Sequence, residues 1–206
     1  MKIILIVLTV ACSAASFAQS AIDLSPVNRA DSDWLRYDNG TPEWFAYEGI
    51  YKGVWFNLED FMPGWSGGAA LLETETWFYH DSQYPWDTSD FYSEIWNGDP
   101  QAPLVQLDQT RLNATHYAPV FTIYSTPLMV NTNFWVLANT ELSSGGWPSI
   151  ISDDNNSEVA HSFFTHDFIL WEPWIPGEGQ SNYFIAVSPA LESLDATTWG
   201  ELKTAF

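Results

Sequence analysis

From Glu43 to Val187 the chain repeatedly starts an apolar segment and repeatedly closes it with Gly, Pro, Asn or Asp. Ten such segments read as strands: Glu43–Glu48, Lys52–Leu58, Ala69–His80, Asp90–Trp96, Leu104–Leu107, Val120–Tyr124, Asn133–Thr140, His161–Phe164, Phe168–Trp171 and Tyr183–Val187. Several alternate with period 2, as a strand with two different faces must. In Asn133–Thr140, for example, Phe134, Val136 and Ala138 share one face, and Trp135, Leu137 and Asn139 share the other. Turn chemistry separates the segments at Asp38-Asn39-Gly40, Asn97-Gly98-Asp99-Pro100, Ser144-Gly145-Gly146 and Pro176-Gly177-Glu178-Gly179. With no amphipathic helix between strands, the pattern predicts an all-β, antiparallel two-sheet β-sandwich over residues 33–188. No low-complexity linker or internal repeat divides it. Residues 189–206 form a C-terminal segment, read as a short helix capped by Asp195 or as a tail.

The N-terminus follows a different pattern. Lys2 precedes the apolar run Ile3–Cys12, and Ser16 and Ala18 stand three and one before a cut at Gln19. This is the layout of a signal peptide over residues 1–18, followed by an N-terminal arm over 19–32. The apolar run spans only ~15 Å as a helix, too short for a bilayer core. Cys12 is the only cysteine. A lipid attached there is disfavoured, because Thr9-Val10-Ala11 lacks the Leu expected ahead of a lipidated cysteine. The expected protein is secreted or held at the cell surface, without disulfides and without a membrane span once processed.

Charge narrows the partners. The chain carries 6 basic and 26 acidic residues, a net charge of −20. Loss of Lys2 with the signal peptide leaves 5 basic residues and −21. Nucleic acid requires a basic footprint, which is missing, and anionic membrane surfaces are equally disfavoured. A membrane barrel requires strands of about ten residues with clean alternation, and twelve prolines interrupt the runs here. The chain also holds 12 Trp, 9 Tyr and 13 Phe. Four tryptophans, Trp86, Trp147, Trp171 and Trp174, are flanked by prolines or sit near them, which suggests loop platforms for stacking on sugar rings or gripping a partner protein.

Patterns that carry catalysis mostly reduce to turns. Gly64-Trp65-Ser66-Gly67-Gly68 matches the letters of a nucleophile elbow. That elbow needs a strand before it and a helix after it, whereas Pro63 precedes it and a β-branched, aromatic run follows. Of His80, His116, His161 and His166, the last two are five apart and fall on opposite faces of a regular strand. Paired carboxylates for glycan cleavage are available at Glu73 with Glu75, at Glu59-Asp60, at Asp153-Asp154 and at Glu172, with nothing in the spacing to choose among them. Asp153, Asp154 and Asn155 gather oxygen donors in one loop and make a candidate calcium site, calcium being the one cofactor the composition suggests.

Two stretches resemble a known arrangement. Asp33-Trp34-Leu35-Arg36-Tyr37-Asp38-Asn39-Gly40 leads to Gly53-Val54-Trp55-Phe56. Phe91–Asp99 is followed by Asn133–Glu141 and then by Trp147-Pro148-Ser149 ahead of Asp153-Asp154-Asn155. This order is similar to an uncharacterised jelly-roll-like β-sandwich module of secreted, often multidomain bacterial surface proteins. The resemblance implies a non-catalytic binding or structural role and brings no catalytic residues with it. The terminal Trp199-Gly200 also resembles short tails of exported proteins, which implies sorting or anchoring. The expected function is a secreted, non-catalytic module binding a carbohydrate polymer or a surface protein. The alternatives are a small glycan hydrolase or lyase using paired carboxylates, and a structural subunit of an extracellular assembly.

Overall fold

The computed structural model describes residues 34–79, 90–143, 147–154 and 157–190. The signal peptide, the N-terminal arm, Trp86, Asn155, His80 and the segment from residue 191 lie outside the described residues. In chain order the elements are β1 (Pro42–Ala46), β2 (Tyr51–Asn57), α1 (Leu58–Phe61), β3 (Ala69–Tyr79), β4 (Asp90–Asp99), β5 (Ala102–Asn113) and β6 (Pro119–Val130), followed by β7 (Asn133–Asn139), β8 (Ser149–Asp153), β9 (Ser162–Thr165), β10 (Glu172–Pro173) and β11 (Ile185–Pro189). Two antiparallel sheets form the expected sandwich. One has six strands in the order β10-β9-β2-β7-β4-β5; the other has five, with β1, β8, β3 and β11 in a path and β6 on β3.

Alternation decides what lies between the sheets. Val54 and Phe56 of β2, Phe91 and Ile95 of β4, and Phe134, Val136 and Ala138 of β7 point inward from the six-stranded sheet. They meet Leu71, Phe78, Ile150, Ile185 and Val187 of the five-stranded sheet in one core. A few hydrogen bonds cross it. Thr122 Oγ1 donates to Ser93 Oγ at 2.8 Å, and Trp174 Nε1 donates to Ser152 Oγ at 2.9 Å. Such buried pairs satisfy polar groups that would otherwise penalise burial.

Lys52 breaks the apolar rule. It sits on β2, two residues from Val54, and is fully buried, with Nζ donating to Gly49 O at 2.8 Å and lying 3.5 Å from Thr140 Oγ1. Burial disfavours the ammonium and brings the amine down to about 7.

The strands differ from the sequence reading in instructive ways. β5 and β6 run to twelve residues each, well past the expected Leu104–Leu107 and Val120–Tyr124. Both are long, largely exposed edge strands, so polar residues are tolerated along them. β8 was not expected: its sequence, SIISD, is short and buried throughout, with none of the alternation that marks a half-exposed strand. The expected strand Phe168–Trp171 does not form. Phe168 adopts φ +64, and the Asp167 carboxylate accepts from Ile169 N at 2.9 Å and Leu170 N at 3.3 Å, folding the segment into a tight loop. The stretch Gly64–Gly68 leads from α1 into β3, so no helix follows Ser66 and no nucleophile elbow exists.

Two predictions follow from the packing. A Cβ on Gly53 would stand 2.2 Å from Leu137 Cδ2 and 2.8 Å from Val136 O, because Leu137 lies across β2 at that point. Gly53→Ala should therefore lower the urea-unfolding free energy by about 1–3 kcal/mol, whereas Gly67→Ala, whose nearest neighbour stands 3.5 Å away, should be close to neutral. Lys52 gives a pH signature. Its folded value of about 7 lies below the ordinary 10.5, so the unfolded chain binds the extra proton between those limits. Stability should rise as pH increases through that window, by on the order of a few kcal/mol, and Lys52→Met should flatten the rise in urea midpoints measured from pH 7 to 10.

Candidate functional site

The outward face of the six-stranded sheet carries a cluster of aromatic residues outside the main core. Cross-strand register places Trp55 of β2 opposite Trp135 of β7, and Trp135 opposite Trp96 of β4, so three indoles stand in a row. A face of this kind normally meets water. Here it is partly roofed. Residues 166–171 fold back over it as a strap, and Trp135, Leu137 and Trp171 form a second small core with Trp55, Phe163 and Phe168 packed against it. Trp135 is wholly buried, and its Nε1 donates to Asp99 O at 2.9 Å.

Beside this roof the face stays open. A cleft of about 210 Å³ is lined by Tyr51, Glu94, Trp96, Gln106, Gln109, Asn139, Glu141 and Phe168. Phe168 joins its aromatic sides. Its ring centroid is 4.9 Å from Tyr51, edge-on, and 4.9 Å from Trp96. Offset and edge contacts of this kind are the favoured geometry for rings and hold them as one wall.

The polar lining is organised around Glu94, which is 2% exposed. Its Oε1 accepts from Gln109 Nε2 at 2.9 Å and from Asn139 Nδ2 at 2.8 Å, while Oε2 accepts from Trp96 Nε1 at 2.7 Å. Three N–H donors thus hold one buried carboxylate, with no cation among those contacts. Asn139 also receives the Glu141 N–H on Oδ1 at 2.9 Å, which fixes its amide from both ends. Tyr51 Oη donates to Glu141 Oε2 at 3.3 Å. Burial, and then the Glu141 charge, raise the Tyr51 phenol, so it stays a neutral donor.

The tryptophans proposed from sequence do not converge. Trp171 belongs to the roofed part of this face, 5.0 Å from Trp135 and 5.3 Å from Phe168. Trp174 is 4% exposed in the main core and presents no open ring. Trp147 lies on the other side of the sandwich, 6.4 Å from Phe45 of β1. Trp86 lies outside the described residues. Tyr51, Glu94, Trp96 and Phe168, which the sequence reading did not single out, make the cleft instead. A signal for them was present: alternation in Asp90–Trp96 puts Tyr92, Glu94 and Trp96 on one face, matching Trp135 and Asn139 on the neighbouring strand.

The candidate calcium residues form a different arrangement. Asp153 ends β8 and is buried, while Asn155 lies outside the described residues. The Asp38-Asn39-Gly40 turn folds onto this strand end. Asn39 N donates to Asp153 Oδ2 at 3.0 Å, and Asn39 Nδ2 donates to Asp154 Oδ1 at 2.6 Å. Asn182 N reaches Asp153 Oδ1 at 2.6 Å and Ser181 Oγ lies 3.2 Å from it. Burial raises the Asp153 carboxyl to about 6, against the lowering effect of those donors. Among the described residues no three His, Cys, Asp or Glu side chains are grouped to hold a metal ion.

Of the histidines among the described residues, His161 is the most embedded. Its ring stacks 3.5 Å from Tyr37 and 5.4 Å from Trp55, Nδ1 lies 3.3 Å from Trp55 O, and Nε2 is 4.0 Å from Asp60 Oδ2. Asp60 Oδ2 accepts from Tyr37 Oη at 2.6 Å. Burial lowers the imidazole, which favours the neutral ring at this packed joint. His166 is exposed at the start of the strap.

The other carboxylate pairs face elsewhere. Glu73 and Glu75 share the outward face of β3 on the opposite sheet, where Glu75 Oε1 accepts from Trp77 Nε1 at 2.7 Å. Glu59 and Asp60 lie in α1, and Glu172 is exposed on β10. No protein family matches the chain, and neither does any characterised protein or solved structure.

The strap is tied down at one residue. Asp167→Ala removes the acceptor for Ile169 N and Leu170 N, so it should release the loop. Amide exchange at Ile169 and Leu170 should accelerate at least tenfold while that of β7 is unchanged. Equal protection in both proteins would show that ring packing alone holds the strap.

Proposed function

We propose that this chain is a secreted or surface-held β-sandwich that binds a carbohydrate in the cleft on its six-stranded sheet and catalyses no reaction. One observation carries the reading: an aromatic wall of Tyr51, Phe168 and Trp96 stands beside a carboxylate and amides locked in place by their own hydrogen bonds. A sugar ring has an apolar C–H face and a rim of hydroxyls. Rings accept the first, and fixed oxygens accept the second. Both kinds of group project from regular strands, and the Phe168 strap is braced against them, so little ordering is left for the ligand to impose. The acidic surface is compatible with this role and opposes nucleic acid. The signal-peptide pattern supports an exterior location.

A second reading draws on one specific feature, since both Glu94 and Glu141 line the cleft. Two carboxylates beside a bound sugar are the apparatus of glycoside hydrolysis. Three of the Glu94 lone pairs are already engaged by protein donors, which suits a fixed acceptor better than a proton donor.

The test is retention on immobilised polysaccharides, read by affinity electrophoresis. Trp96→Ala should weaken retention at least tenfold with the fold intact by circular dichroism, and Trp174→Phe should leave it unchanged. Retention untouched by Trp96→Ala would remove the cleft as the site. Release of reducing ends, abolished by Glu141→Gln, would establish the hydrolytic reading instead.

A further inference from the structure

The cleft also constrains which carbohydrate fits, an inference that rests on the glycan reading just given. The eight lining residues include two carboxylates, three amides and no Lys, Arg or His. Arg111 of β5, opposite Tyr92 in the next row, is paired with Asp90. Lys52, on the strand that supplies Tyr51, points the other way into the core. An anionic sugar would therefore enter a site of like charge on a chain of net charge −20.

The hydrogen-bond inventory goes further. Trp96 Nε1 spends its N–H on Glu94, Gln109 Nε2 and Asn139 Nδ2 each spend one of their two N–H groups there, and Tyr51 spends its O–H on Glu141. The side-chain oxygens that remain include the last lone-pair site of Glu94, the Gln106 and Gln109 carbonyls and the second oxygen of Glu141. The donors beside them are the amide N–H groups of Gln106 and the second N–H of Gln109, all uncharged. The ligand must both donate to these oxygens and accept from neutral amides without calling for a charged partner, as a sugar hydroxyl does. A cationic amine would also be a donor. However, Glu94 is already matched by three neutral N–H groups in a 2% exposed position, so it needs no counter-ion, and an exposed pair with Glu141 alone is worth little.

We propose that the cleft takes one uncharged pyranose ring of a neutral glycan, with its apolar face on the Trp96–Phe168–Tyr51 wall and its hydroxyl hydrogens given to Glu94, Gln109 and Glu141. The volume of about 210 Å³ suits a single ring rather than a long groove of subsites. Glu94 acts as the central acceptor, and Asn139 positions it.

The experiment uses soluble polymers of matched backbone, in about 0.5 M salt to screen general charge attraction. Hydroxyethyl cellulose, carboxymethyl cellulose and chitosan present neutral, anionic and cationic β-linked chains. Neutral mannan, galactan, xylan and dextran widen the neutral arm, with polygalacturonate and dextran sulfate as further anions. Retention by at least one neutral polymer and by no anionic one is expected. That retention should be weakened tenfold or more by Glu94→Gln and by Trp96→Ala. Gln106→Ala, at the exposed rim, serves as a second variant should Glu94→Gln destabilise the sheet, and a weakening of about threefold or more is expected from it. Binding of chitosan or of an anionic polymer that Trp96→Ala abolishes, at an affinity equal to or above the neutral arm, would overturn the neutral-ring inference and leave glycan binding standing. Failure to retain any polymer would overturn both.

Discussion

Trp135 is buried completely on a sheet face that a two-layer sandwich leaves to solvent, and the arrangement of the molecule around the cleft follows from this. The strand that carries it, β7, is central in its sheet, paired with β2 on one side and β4 on the other. Its inward residues, Phe134, Val136 and Ala138, belong to the main core. Its outward residues, Trp135 and Leu137, are no less apolar. Exposing a ring of that size would forfeit several kcal/mol of burial. Something has to cover it, and the nearby chain that does so is the strap of residues 166–171. The third layer over this part of the sheet is therefore a loop, built from Phe168 and Trp171 rather than from a strand or helix.

Covering only part of the face is what creates a site. Had the strap roofed the whole sheet, the outer aromatics would be core; without it, they would be an exposed patch. Phe168 is the boundary, facing Trp171 on one side and the open cleft with Tyr51 and Trp96 on the other. It holds a left-handed backbone, φ +64, which is unfavourable for a bulky residue and persists only where the surroundings fix it. Three ring contacts and the Asp167 cap supply that fixation. Strain at a cleft wall, compensated by packing behind it, is common where a ligand surface must be held in shape.

Much of this fold was legible in the sequence and much of the site was not, for a physical reason. Period-2 alternation reports which residues share a face, so β2, β3, β4 and β7 were found within a residue or a few of their ends. Alternation does not report what covers a face. Trp171 and Trp174 are three residues apart in the same short stretch, yet Trp174 points into the main core and Trp171 onto the outer sheet. The strap itself reads as a strand, because Phe168, Ile169, Leu170 and Trp171 are all strand formers; only the Asp167 side chain, accepting two successive N–H groups, turns it into a loop. β8 went unseen for the opposite cause, being buried along its whole length. Glu94 was one acid among 26, distinguished only by the strands that bring Gln109 and Asn139 to it.

The acidic composition is handled in a consistent way. With six basic residues in the chain, ion pairing cannot match 26 acids. Carboxylates that matter to the structure are matched by N–H donors instead. Asp99 takes Gln101 N and Ala102 N in the β4–β5 turn, Asp153 takes Asn39 N and Asn182 N, and Asp167 takes the two amides of the strap. Glu75 and Glu94 each bond the indole two residues on, the same Glu-x-Trp device used once on each sheet. Amide and indole donors carry no net charge, so these contacts leave the negative field of the molecule intact while fixing the carboxylates in place. They also make its internal geometry largely insensitive to salt, since the screened interactions are those between exposed charges. At Glu94 the result is a carboxylate that is both buried and oriented, in the lining of the cleft. An ion-paired acid in the same position would have brought a guanidinium or ammonium into the cleft and given it charged donors. The scarcity of cations in the sequence and the absence of charged donors from the lining of the site are thus one property seen at two scales.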